Sequence, residues 1–152
     1  MTYYLLDTEN LKYNWMSLIE PKERDKIIFF YTQKCGAIPK NKVESITKKL
    51  KGNCNSLKTK IQTFDELSSV VHNNKVFFDT VKCITGKNAL DFQLVSYLGM
   101  LIYENSNANF VIISNDNGYK PVISMWSNKG VKIKQIKHPE IKKKNKKLKK
   151  AS

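Results

Sequence analysis

Apolar positions along the chain form two kinds of run: short continuous stretches rich in β-branched and aromatic residues, and longer stretches with helical spacing. The first kind predicts five strands, Tyr3 to Leu6, Lys26 to Tyr31, Lys75 to Val81, Phe110 to Ile113 and Val131 to Ile136. The second predicts helices over Leu11 to Ile19, Lys42 to Leu50, Phe64 to Val71, Ala89 to Glu104 and Pro121 to Ser127. Thr63-Phe64-Asp65-Glu66 has capping-box spacing, and Gly52 and Gly130 stand where helices should stop. Strands separated by helices imply parallel crossovers, hence an α/β fold. The segment from Ala89 is apolar nearly all round, with Leu90, Phe92, Leu94, Val95, Leu98, Leu101 and Ile102, which predicts a buried central helix.

At 152 residues the chain is expected to form one domain, residues 1–136, followed by a lysine-rich flexible tail, 137–152, with Pro139 at the exit. Charge sharpens this picture. Basic residues number 27 against 13 acidic ones, and all but Arg24 are lysines. Lysine is a hydrated point charge that suits phosphate, whereas two-pronged reading of guanine favours arginine, so the expected partner is a polyanion recognised with little base reading. The tail holds eight lysines and Glu140, about half of the net +14, and the body is basic on its own.

Other chemistries fall away on composition. Cys35, Cys54 and Cys83 are odd in number and form no C-x-x-C pair, and only His72 and His138 could join them, which excludes a disulfide framework and a zinc site. The same two histidines, one in a polar turn and one in the tail, leave no base for a serine or cysteine triad. Met1-Thr2-Tyr3-Tyr4 enters a strand directly with no signal-peptide pattern, and no apolar run would span a membrane, so a cytoplasmic protein is expected.

The handles left for chemistry are carboxylates and lysines. In an open parallel sheet reactive groups gather beyond the carboxyl ends of the strands, where strand order reverses. Asp7 follows the first strand in Leu5-Leu6-Asp7-Thr8-Glu9-Asn10. Asp116 follows the fourth in Ser114-Asn115-Asp116-Asn117-Gly118-Tyr119, and Asp91 opens the long helix. If strands one and four are neighbours, three carboxylates converge, and their repulsion favours protonation or a divalent cation, Mg²⁺ or Mn²⁺ for an all-oxygen site. Each acid also has a structural alternative: Asp116 as an Asx turn before Gly118, Asp91 as a cap partner of Asn88, Asp7 as a strand end.

The Asp7-x-Glu9-Asn10 opening, the Lys87-Asn88-Ala89-Leu90-Asp91-Phe92-Gln93-Leu94 block with Tyr97-Leu98-Gly99 after it, and Ser114-x-Asp116-x-Gly118-Tyr119 resemble a bacterial PIN-like domain family related to the NYN nucleases. The resemblance covers residues 1–136. It implies a three-layer α/β/α fold with a five-stranded parallel sheet of order 3-2-1-4-5, and metal-dependent cleavage of RNA, less often DNA. It further implies that Asp7, Asp91 and Asp116 bind Mg²⁺ or Mn²⁺, supported by Ser114 and Asn10. Many such nucleases carry a second aspartate where this chain has Gly118, and Glu9 is a candidate fourth ligand.

Thr85-Gly86-Lys87-Asn88 lacks the first glycine and the final Ser or Thr of a phosphate-binding P-loop, which excludes an NTPase. The opening is also similar to the haloacid-dehalogenase phosphatases, whose motif takes a second aspartate where this chain has Glu9. Lys87 is a candidate for holding the phosphate under attack, Tyr119 for stacking on a base, and Lys142, Lys143, Lys144, Lys146 and Lys147 for drawing in the strand. Trp15 and Trp126 read as core or rim residues. The expectation is an endoribonuclease acting on single-stranded RNA ahead of duplex, with DNA and a homodimer left open. The alternative is a non-catalytic RNA-binding or assembly protein of the same fold.

Overall fold

The computed structural model describes residues 1–139. Five parallel strands, β1 (Thr2–Asp7), β2 (Lys26–Tyr31), β3 (Phe77–Lys82), β4 (Asn109–Ile113) and β5 (Lys132–Ile136), form one sheet in the order β3-β2-β1-β4-β5. The expected 3-2-1-4-5 order is therefore present. Strand order reverses at β1, which pairs with β2 through Leu6↔Phe29 and with β4 through Leu6↔Ile113.

Because side chains alternate across a strand, the continuous apolar runs of β1, β2 and β4 supply both faces of the sheet. Tyr3, Leu5, Ile28, Phe30, Phe110 and Ile112 pack on one face with Leu90, Leu94 and Leu98 of α4 (Ala89–Glu104) and with Val122, Ile123 and Trp126 of α5 (Lys120–Asn128). Leu6, Ile27, Phe29, Tyr31, Val111 and Ile113 pack on the other, against Val43 and Ile46 of α2 (Lys40–Lys49) and against Trp15. Three layers result, and among the described residues no helix is long and apolar enough to cross a membrane.

Several expectations change. The helix expected over residues 11–19 is split into α1 (Thr8–Leu11) and a 3-10 turn, Asn14–Ser17, because Asp7 caps the chain early and Lys12 adopts φ 52. Residues 64–70 likewise form a 3-10 turn, Phe64–Glu66, running into α3 (Leu67–Val70), and Thr63 makes no capping bond. The long helix α4 is buried on one side only: Phe92, expected inside, is 68% exposed. Two short antiparallel ladders, Ile38–Pro39 with Lys60–Ile61 and Asn53–Cys54 with Val71–His72, fasten the long excursion between β2 and β3.

Gly130 ends α5 with φ 88, as its position suggested, but after α2 the left-handed residue is Lys51, with φ 58, and Gly52 serves another purpose. A Cβ on Gly52 would lie 2.8 Å from the His72 carbonyl oxygen, so this glycine admits the neighbouring ladder. Gly52→Ala should destabilise the fold by about 1–3 kcal/mol, the range of overpacking against a backbone that has nowhere to go. Thermal denaturation reads this directly, and an unchanged Tm would show that the ladder can shift.

Candidate active site at the carboxyl ends of the central strands

β1 ends on Asp7, which also caps α1, its Oδ1 accepting the Asn10 N–H at 3.1 Å. Since β1 and β4 are register neighbours, the residue after β4, Ser114, comes beside it. The Ser114 hydroxyl donates to Asp7 Oδ2 at 3.0 Å and accepts the Asp116 N–H at 3.1 Å. Asp116 then begins the 3-10 turn Asn117–Tyr119, its Oδ1 accepting the Gly118 N–H at 2.8 Å. The Asx turn foreseen as its structural alternative is thus real, yet it engages one oxygen only.

Asp91 reaches the same place from the first turn of α4. Its cap-partner alternative does not apply, because Asn88 has φ 56 and makes no side-chain capping bond. Asp7, Asp91 and Asp116, with Glu9, Asn10, Gly86, Asn88, Ala89 and Leu90, line a cleft of about 220 Å³. Glu9 is held at its rim by the Thr32 hydroxyl, which donates to Oε2 at 2.6 Å. Lys87 is exposed between two lining residues and is not itself in the lining. Lys142, Lys143, Lys144, Lys146 and Lys147 lie outside the described residues.

Tyr119 corrects the sequence reading. It is 1% exposed, so its ring belongs to the core and offers no face to a base. Its hydroxyl lies 3.2 Å from Asp7 Oδ2 and 3.1 Å from Asp91 Oδ1, and its single proton serves one carboxylate or the other. His138 is also corrected. It is buried, and its N–H and carbonyl bond the Asn115 side chain at 2.6 and 3.1 Å, while Lys137 bonds Asn117.

Three supporting residues had escaped the sequence reading. Asn115 donates its N–H to Asn10 Oδ1 at 2.8 Å, joining the two strand ends. Gln135 of β5 donates to the Ser114 and Asp116 carbonyls at 2.7 and 2.8 Å, holding the turn from below. Thr32 is the third. Asn115 lay inside the recognised block and could have been found there, whereas Gln135 carries no signal beyond a polar residue in a strand.

Electrostatics follow from crowding. Burial raises the Asp7 pKa, opposed by the bonds from Asn10, Ser114 and Tyr119. The Asp91 carboxyl is pushed up to about 7, first by burial and then by Asp116 beside it, while Asp116 is held below its ordinary value by the hydrogen bond with Asp91. Asp91 and Asp116 thus share a proton near neutrality. Among the described residues no three His, Cys, Asp or Glu side chains stand close enough to ligate one ion as placed. In donor type and in the crowding of carboxylates, however, Asp7, Asp91 and Asp116 fit a hard divalent cation.

The family model of the PIN domain matches residues 1–136, and the chain belongs to that family. PIN domains are generally nucleases that act on nucleic acids with divalent metals. No similar curated protein was found, and no similar solved structure.

The raised Asp91 pKa has a consequence for stability. Between the ordinary value of 3.8 and about 7 the folded state holds a proton that the unfolded chain has released, so stability falls as pH rises through this window. Asp91→Asn removes that penalty. Without divalent cations it should melt above the wild type at pH 8, and the gap should close by pH 4. An equal gap at both pH values would mean that Asp91 is not strained by its neighbours.

Proposed function

We propose that this PIN-domain protein is a cytoplasmic endoribonuclease that hydrolyses phosphodiester bonds in single-stranded RNA at the Asp7, Asp91, Asp116 cleft. The observation that carries this reading is the meeting of three carboxylates, Asp7, Asp91 and Asp116, in one cleft at the switch point of the sheet, where burial and the neighbouring Asp116 raise the Asp91 pKa. Three free cysteines agree with a reducing compartment.

Asp7, Asp91 and Asp116 would hold Mg²⁺ or Mn²⁺, with Glu9 at the rim as a further ligand. Such an ion supplies Lewis acidity, acidifying water and offsetting the charge that develops on the phosphate. The chain's own groups do the rest. Ser114 and Tyr119 fix the Asp7 carboxylate, and Asn10 and Asn115 tie its loop to the turn that bears Asp116. Lys87 contacts the phosphate from the rim, and the lysines of residues 137–152 collect the strand without reading bases.

One observation favours the non-catalytic alternative: Tyr119 stands between Asp7 and Asp91, and the resemblance adds that Gly118 occupies the place of a further acid in many PIN nucleases. Cleavage decides. Labelled RNA and DNA, single-stranded and duplex, should show cutting of single-stranded RNA with Mn²⁺ and none with EDTA. Asp7→Asn, Asp91→Asn and Asp116→Asn should each abolish cutting while retaining the fold, since the amide keeps the shape and loses the charge. Tight RNA binding with no cutting under any metal would establish the alternative.

Capture and cutting should separate. Each phosphate neutralised on a single strand adds about 0.7 to the slope of log affinity against log salt, so a tail making about four contacts contributes roughly 3. Deleting residues 140–152, which keeps Lys137 and His138 on the Asn115–Asn117 turn, should flatten that slope and leave the cleavage position unchanged. Equal slopes for the two proteins would confine RNA capture to the body.

A further inference from the structure

Helix α4 has a face that nothing in the described chain covers. Leu90, Leu94, Leu98, Leu101 and Ile102 are its buried side. On the opposite side Phe92 is 68% exposed, Met100 44% and Tyr103 91%. At about 100° per residue, Phe92, Ser96, Gly99 and Tyr103 fall on one stripe along that side.

Gly99 is the informative residue. A glycine inside a helix costs stability relative to alanine, and it is ordinarily retained for a left-handed backbone or a close approach. Here the backbone is helical, and a Cβ built on Gly99 meets no atom within 4 Å. Nothing in the described chain needs the missing side chain, so the close approach comes from outside.

The stripe reads nearly alike from either end, with an aromatic residue at each end and two small residues between. Under a two-fold axis through the middle of α4, with the helices antiparallel, Phe92 of one copy meets Tyr103 of the other. Ser96 and Gly99 meet at the crossing, where small residues let the axes come close. Charge favours the same occupant. Residues 88–119 contain no lysine or arginine in a chain of net charge +14, so this is where an identical copy is least repelled and where a polyanion is least attracted. Ile84, 80% exposed and bonded through its backbone to Gln93, widens the apolar area. Given about 150–250 Å² for a whole aromatic side chain, the exposed apolar side chains amount to roughly 500 Å². That is a core for the about 800 Å² per partner of a stable interface, completed by a polar rim.

We propose that α4 is the interface of a symmetric homodimer, with Gly99 at the helix crossing. The pairing sets the two Asp91 residues about 20 Å apart along the helix axes, so each dimer presents two clefts at a fixed spacing. The inference does not depend on the clefts being catalytic.

Light scattering on the full chain, after nuclease treatment and in high salt to strip bound RNA, tests it. The wild type should run at twice its 17.6 kDa at micromolar concentration. Gly99→Gln, which puts a helix-favouring side chain into open space, should give a monomer with unchanged circular dichroism, and Tyr103→Lys should do the same. A monomeric wild type would overturn the proposal, as would a Gly99→Gln protein that remains dimeric. RNA cross-linking to Phe92 of a monomeric chain would assign the face to substrate instead.

Discussion

The site exists because β1 and β4 lie side by side and in register, although they are far apart in the chain. Leu6 opposite Ile113 makes Asp7 and Ser114 the next residues out of the sheet, and their hydrogen bond spans 107 positions of sequence. The turn that bears Asp116 is built around that bond: Ser114 takes the Asp116 N–H, Asn115 takes hold of Asn10, and Gln135 supports the turn from β5. A slip of one residue would turn Asp7 toward the other face and leave a leucine in its place.

Such an arrangement is costly. Asp7 is 4% exposed, and the Asp91 carboxyl is pushed up to about 7 by burial first and by Asp116 beside it second. Structural ion pairs relieve burial of this kind with an opposite charge. Here relief comes from hydroxyls and backbone N–H groups, which fix carboxylates in place without neutralising them, and at Asp116 also from the Lys137 charge. Crowded carboxylates held in fixed positions are, in energetic terms, the mark of a candidate functional site.

The sequence made the sheet legible, since short runs such as Ile27-Ile28-Phe29-Phe30, rich in β-branched and aromatic residues, suit strands buried on both faces, and strand ends located Asp7 and Asp116. It failed where tertiary contacts outweigh local pattern. Phe92 looked like core because periodicity cannot tell a helix packed on one face from one packed on two. Tyr119 looked like a surface aromatic beside the site, and its burial depends on the turn folding back under Asp7. Gly52 looked like a helix stop, yet its role is set by a ladder that joins residues 53–54 to 71–72. In each case the deciding neighbour lies on another element, beyond what a local window can see.

Charge is divided along the chain in a way that bears on function. Lysine is spread over most of the protein and dense in residues 137–152, while residues 88–119, which carry Asp91 and Asp116, hold none. On the proposed reading a polyanion is drawn to the molecule as a whole, while the carboxylates of the cleft oppose its entry. On the proposed reading, approach of a phosphate to Asp7, Asp91 and Asp116 requires that their charge first be answered, by a proton shared between Asp91 and Asp116 or by a divalent cation. On that reading the lysines govern how much RNA is held and the carboxylates whether a held strand can enter, so affinity and cutting would answer to different ions in solution.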